Sequence, residues 1–243
     1  MTESRGKRGG AAERDSRRSA ADERSTWRAP DVTWEDPDMY VKVCGLKTAE
    51  AATEAVTAGA DAVGVVMSPK SSRHVDTHTA RTVIAAAKAA RADVDAVLVV
   101  NDLPAVDAAD MAVEIGADVL QLHGPAYSSA DFSAAARTLP RLWRATSLKH
   151  DPHPVLGAHG EERLLLDAPK PGSGSTWDLS VLEGLGLEGE WLLAGGLNPD
   201  NVAQAIRKAH PWGVDVSSGV ESAPGEKDLG LIRAFVEAAK QAE

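Results

Sequence analysis

The sequence predicts an α/β fold, a single-domain (β/α)8 or TIM barrel preceded by a disordered N-terminal extension. Three observations carry this. Short apolar runs recur eight times between residues 40 and 216, helical spacing fills most of the gaps between them, and the runs show no polar alternation. Strands that alternate with helices imply a parallel sheet, because each parallel return needs a crossover. Uniformly apolar strands imply burial on both faces. Residues 40 to 243 number 204, at the short end of the roughly 200 to 400 usual for an eightfold barrel. The competing architecture is an open doubly wound sheet. It would show a Gly-x-Gly-x-x-Gly fingerprint after its first strand, where this chain reads Cys44-Gly45-Leu46-Lys47.

The expected strands are Tyr40–Cys44, Ala62–Met67, Ala96–Val100, Val119–Leu122, Leu142–Ala145, Leu164–Leu166, Trp191–Leu193 and Val214–Val216. Thr48 is the expected N-cap of a first helix whose buried face carries Ala51, Ala52, Ala55 and Val56. Thr79 to Ala90 is an Ala-rich second helix, and Val106 to Ile115 a third that follows a proline. Ala130 to Leu139 is a fourth, stopped by Pro140. The fifth crossover, His150 to Gly160, contains Asp151-Pro152-His153-Pro154 and predicts a short or irregular connection. After strand seven, Asn198 reads as an N-cap with Pro199 at the first helical position, and Val202, Ile206 and Ala209 follow at helical spacing. Leu229, Ile232, Val236 and Ala239 line one face of the last helix.

The first 38 residues have a different character, so the domain proper is set at 39–243. They hold eight basic and nine acidic residues and no Leu, Ile or Phe. Such a segment cannot bury enough apolar surface to offset its ordering entropy, so disorder is expected. Arg17-Arg18 after Ser16 hints at a twin-arginine signal, but no apolar region follows, and a transit peptide would be poor in acids. A lone cysteine excludes an internal disulfide. The formal charge of −10, with both signs intermixed, argues against nucleic acid or an anionic membrane as main partner. No apolar run nears the roughly 18 residues of a membrane span. A cytoplasmic enzyme, monomer or homodimer, is the expectation.

Chemistry in such a barrel gathers where strands end. Those ends carry Cys44, Ser68 to Arg73, Asn101, His123, Thr146, Asp167, the Gly195-Gly196 turn and the Asp215-Val216-Ser217-Ser218-Gly219 turn. Glycine-rich turns beside a helix start offer free N–H groups and partial positive charge to a phosphate. The same composition also fits two ordinary turns, and a lone Cys is more often a small buried hydrophobe. His74, His78, His150, His153, His159 and His210 have no metal-site spacing with Cys44, so no metal is expected.

Several segments taken together resemble phosphoribosylanthranilate isomerase, a family of tryptophan biosynthesis. They are Val41-Lys42-Val43-Cys44-Gly45-Leu46, Gly59-Ala60-Asp61-Ala62-Val63-Gly64, Ser68-Pro69-Lys70-Ser71-Ser72-Arg73, Gln121-Leu122-His123-Gly124, Leu165-Leu166-Asp167, Gly172-Ser173-Gly174, Gly195-Gly196-Leu197-Asn198-Pro199 and Asp215 through Glu221. The resemblance implies an Amadori rearrangement of N-(5-phosphoribosyl)anthranilate without metal or organic cofactor. It implies Cys44 as general base and Asp167 as general acid. Arg73 is implied to hold the anthranilate carboxylate, and Asp215 to meet the ribose hydroxyls or the anthranilate nitrogen, with His123 on the same mouth. Gly172, Gly174, Gly195, Gly196, Ser217, Ser218 and Gly219 are implied to hold the phosphate. Two departures stand out. The loop after strand six reads Ser175-Thr176-Trp177-Asp178, where the family has Lys or Gln and then an aromatic, and strand three lacks an aromatic before Val100-Asn101. The related histidine-pathway isomerase places Asp where this chain has Cys44. A non-catalytic phosphosugar-binding barrel would need neither Cys44 nor Asp167.

Overall fold

The computed structural model describes residues 38–168, 178–182 and 184–242. The expected extension, apart from residue 38, lies outside the described residues, as do Gly172 and Gly174. Eight parallel strands close on themselves in sequence order: β1 (Tyr40–Cys44), β2 (Ala62–Val66), β3 (Asp95–Val100), β4 (Val119–His123), β5 (Leu142–Ser147), β6 (Arg163–Asp167), β7 (Trp191–Leu193) and β8 (Gly213–Val216). The last strand returns to the first with Lys42 opposite Asp215. This closed order rules out the doubly wound alternative.

Helices α1 (Ala49–Thr57), α2 (Thr77–Ala90), α3 (Ala105–Ile115), α4 (Ser129–Ala135), α5 (Val202–Ala209) and α6 (Leu229–Lys240) pack outside the barrel. Thr48 caps α1 by accepting from the Ala51 N–H at 3.2 Å. Helix α2 starts two residues earlier than its apolar spacing predicts, because Asp76 caps it through the Thr79 N–H at 2.7 Å. Helix α4 stops four residues short of its pattern. The Thr138 and Leu139 N–H groups both turn back to the Ala135 carbonyl, ahead of Pro140. Helix α5 begins at Val202 with Asn201 as its cap residue, so the expected capping role of Asn198 is corrected. The Asn198 side chain instead closes a polar turn, accepting from the N–H groups of Asp200 at 2.9 Å and Asn201 at 3.1 Å.

The wall between β5 and β7 carries no α-helix among the described residues. A 3-10 turn at Leu179–Leu182 stands there. The fifth crossover is irregular, as its prolines predict, and one buried guanidinium holds it. Arg144 donates to Glu161 at 2.7 Å, Asp151 at 2.7 Å and the Val155 carbonyl at 2.9 Å. A short antiparallel pair, β9 (Glu221–Ala223) and β10 (Glu226–Lys227), follows β8 and was not foreseen. Its turn residues, Pro224-Gly225, read only as a loop.

Two cores result. Apolar side chains facing outward from the strands pack against the helices, and Val97, Val99, Val119, Trp143, Leu165 and Leu192 fill the barrel itself. The N-terminal rim is plugged by stacked rings. Tyr40 lies on Trp212 with centroids 4.5 Å apart, and the Arg163 guanidinium stands 4.3 to 5.1 Å from the rings of Trp212, Tyr40 and Trp143. Asp95 takes hydrogen bonds there from the Tyr40 hydroxyl at 2.6 Å, Arg141 at 2.5 Å and Arg163 at 3.2 Å.

Candidate active site

At the opposite rim, side-chain alternation along each strand decides what faces inward. Lys42 and Cys44 are two apart on β1, as are Gln121 and His123 on β4, Leu165 and Asp167 on β6, and both members of each pair face the interior. Asp167 ends β6 with its carboxylate buried, accepting the Ala168 N–H at 2.7 Å. Burial lifts this carboxyl to about 7, against the pull of the Ala168 N–H and of Lys42. Near neutral pH it therefore carries a proton for part of the time. His123 stands 3.8 Å from it through Nε2, too far for a hydrogen bond. Burial, reinforced by Lys42, lowers the His123 imidazole to about 4, which makes it a neutral ring at pH 7.

The Cys44 thiol is buried, and that burial raises it above its ordinary value although Lys42 pulls the other way. Space for the sulfur comes from Gly64, its cross-strand partner on β2. A Cβ at Gly64 would lie 2.8 Å from the Cys44 Sγ. Lys42, fully excluded from solvent, pairs with Asp215 on β8 at 2.8 Å. Burial works against its ammonium, but Asp215 and Cys44 together more than offset that.

The glycine-rich turns after β7 and β8 meet beside the acid. A cavity of about 50 Å³ is lined by Asp167, Gly195, Gly196, Asp215, Ser217 and Ser218, among others. Gly195 has φ +88, and a Cβ there would come within 2.7 Å of an Asp167 carboxylate oxygen. No side chain fits between the turn and the acid. Gly219 stands behind this cavity, where its lack of a side chain lets the β8 turn press against the Leu197 backbone. A larger cavity of about 380 Å³ opens on the β3–β5 side, bordered by Lys70, Asn101, His123, Thr146, Ser147 and His150.

Arg73 reaches this end from the turn after β2, and Glu221 grips its fork by two bonds, 2.7 Å to Nε and 2.9 Å to Nη2. Glu221 also accepts from Lys227 at 2.7 Å and from the Gly225 N–H at 3.1 Å. Burial opposes its charge, yet these donors hold its carboxyl down at about 2. With Nε and one Nη2 hydrogen given to Glu221, the Nη1–Nη2 edge of Arg73 is the part left to meet a ligand carboxylate. Lys227 also donates to the Ser217 carbonyl at 2.8 Å, which ties the β9–β10 pair to the β8 turn.

The fold thus gathers Cys44, Arg73, His123, Asp167, Gly195, Gly196, Asp215, Ser217 and Ser218 at one end. Sequence reasoning missed Lys42, Glu221 and Lys227. A signal existed for Lys42: a charge inside Tyr-Val-Lys-Val-Cys, a strand read as buried on both faces, requires a buried partner.

The profile of the family described as N-(5'phosphoribosyl)anthranilate (PRA) isomerase matches residues 41–238. The crystal structure of TrpF from Jonesia denitrificans is 52% identical, covers 84% of this chain and 98% of its own, and superimposes with a TM-score of 0.76. The N-(5'-phosphoribosyl)anthranilate isomerase of Rhizobium meliloti (strain 1021) is 39% identical over 215 residues, 84% of this chain and 98% of the relative. A phosphoribosyl anthranilate isomerase crystallised with reduced 1-(o-carboxyphenylamino)-1-deoxyribulose 5-phosphate is 32% identical, covers 83% of this chain and 98% of its own, and has a TM-score of 0.72.

Proposed function

The chain belongs to the N-(5'-phosphoribosyl)anthranilate isomerase family of tryptophan biosynthesis, and from that premise we propose that it converts N-(5'-phosphoribosyl)anthranilate to 1-(2-carboxyphenylamino)-1-deoxyribulose 5-phosphate, with Asp167 as general acid and Cys44 as general base. The substrate is a cyclic aminal. Asp167 gives its proton to the furanose oxygen, the ring opens to a Schiff base, and Cys44 removes the C2′ proton to leave an enamine. The enamine then tautomerises to the ketone. Each positioned acid or base supplies on the order of 10²- to 10⁴-fold.

The observation that carries this reading is the protonation of Asp167. A carboxyl lifted to about 7 by burial can donate at neutral pH, and it borders the cavity where glycine-rich turns bring backbone N–H groups. Gly195, Gly196, Ser217 and Ser218 are assigned to the phosphate, as are Gly172, Gly174 and Gly219. Asp215 is assigned to the ribose hydroxyls or the anthranilate nitrogen, Arg73 to the carboxylate, and neutral His123 to the wall beside the acid. No assigned group needs a metal or cofactor.

Loss of substrate fluorescence on mixing N-(5'-phosphoribosyl)anthranilate with the purified chain tests the activity. Cys44→Ala and Asp167→Asn should each lower kcat by about 10³-fold or more while the reduced product analogue still binds. Full turnover in either variant would remove that residue from the mechanism.

A further inference from the structure

The barrel interior holds a lysine that the acid–base scheme does not use. Lys42 lies in the middle of β1, excluded from water, with its ammonium 2.8 Å from Asp215. A cation in that position needs both a partner and a purpose, since an apolar side chain would fill the barrel at less desolvation cost. Its ammonium is hydrogen-bonded to Asp215 across on β8, and the Cys44 thiol also lies within its reach. The next inward residue along its own strand is Cys44. Gly64 opens the space into which the sulfur projects, on the same inward-facing row of β1 as Lys42.

We propose that Lys42 is a positioning residue whose ammonium, anchored by Asp215, is the counter-charge of the Cys44 thiolate during proton abstraction. This rests on the reading of Cys44 as the base. Other charged or titratable groups around the sulfur give a simple balance. Lys227 from β10 and Arg73 from the β2 turn add two positive charges, of which Glu221 offsets one, so Lys227 still favours the thiolate from that side. Asp167 on β6 and neutral His123 on β4 close the far wall. Among these charges Lys42 and Asp215 weigh most on the thiol–thiolate balance, and they act in opposite directions. When the S–H proton leaves to solvent, the sulfur becomes a second anion beside one ammonium.

This opposition makes the idea testable in the full-length enzyme. Cys44 is the chain's single cysteine, so thiolate absorbance near ~240 nm reports it alone. The chain has two tyrosines, and both ionise well above their ordinary range, Tyr127 at about 12 and Tyr40 higher, which keeps the window clear. Lys42→Met should move the Cys44 titration upward by roughly one pH unit or more, which corresponds to tenfold less thiolate. It should lower kcat by about 10²-fold with KM changed only severalfold, and Lys42→Arg should restore part of the loss. Asp215→Asn should move the titration downward, because the thiolate then becomes the anion that accompanies Lys42. Disruption of the barrel alone would not give opposite signs, and if Lys42→Met does not fold, Lys42→Gln takes its place in the same titration, because the shift in Asp215→Asn follows from loss of an anion whatever Lys42 does. An unmoved titration in Lys42→Met, or shifts of the same sign in both variants, overturns the assignment. If Cys44→Ala keeps its turnover, the base role itself falls and this assignment with it. If Cys44→Ala is inactive while Lys42→Met titrates like the parent, only the role of Lys42 falls.

Discussion

The two rims of this barrel handle charge in opposite ways. At the N-terminal rim Asp95 is surrounded by Tyr40, Arg141 and Arg163, and these donors overcome the burial that would raise it, so its carboxyl sits below its ordinary value. At the C-terminal rim Asp167 has one backbone donor, and burial prevails, raising it to about 7. The same residue type, at opposite rims of the same sheet, is pushed to opposite sides of its unperturbed value. One rim gives its carboxylate several hydrogen bonds, and the other gives its carboxyl one, which leaves it partly protonated near neutral pH.

The largest test of this contrast is activity. Asp167→Asn should cost about 10³-fold in kcat, while Arg163→Ala at the far rim should leave kcat/KM of the folded enzyme within about twofold. Stability should reverse the ranking. Arg163 covers three aromatic rings, so its removal should destabilise the fold by about 2–3 kcal/mol in denaturant unfolding. Equal activity losses at the two rims would erase the distinction.

The pH dependence sharpens it. The proposed mechanism needs thiolate and carboxylic acid together, yet burial lifts Asp167 to about 7 and Cys44 above its ordinary value. The correct pair is therefore a minor form at every pH. kcat/KM should rise about tenfold per pH unit up to pH ~7, level off, and fall only where the thiol ionises. Steady-state rates across pH 5 to ~10 check this, and a decline starting at pH 7 would show that the thiol titrates first.

Stability should carry opposite pH signs at the two rims. The folded pKa of Asp95 is lowered, so its contribution is present above the unfolded value near ~3.9 and lost as pH falls. The folded pKa of Asp167 is raised, so its contribution is present below ~3.9 and lost as pH rises through about 7. Asp95→Asn should thus destabilise at pH 7 and much less in acid. Asp167→Asn should be neutral in acid and stabilising at pH 8. Melting curves at both pH values would show it. The smallest effect concerns the charged N-terminal segment: we propose that it contributes nothing to either rim, and removal of residues 1–37 should leave kcat/KM within about twofold.

Much of this contrast was legible beforehand. Cys44, Asp167 and the Gly195 and Ser217 turns stand at strand ends, so placing the strands placed them at one mouth. Strand β1 came out with its observed limits because Tyr40–Cys44 is followed by Gly45 and preceded, ahead of Met39, by Pro37-Asp38. Pairings across the fold were not readable. Lys42–Asp215 joins residues 173 apart and Arg73–Glu221 residues 148 apart, and only barrel closure brings them together. The β9–β10 pair escaped notice because two- and three-residue strands carry too little pattern to register. Asn198 was misassigned because an Asx turn and an N-cap use the same side-chain chemistry three residues apart.

The fifth crossover has a consequence of its own. Where β1 to β4 are each followed by an apolar helix, β5 is followed by a loop whose main polar anchor is the guanidinium of Arg144. A wall held by a loop can detach locally more readily than one held by a packed helix, while the remaining strands stay paired. Proteases meeting the native enzyme should find their first foothold between Asp151 and Gly160, and the ease of that nick should depend on one arginine.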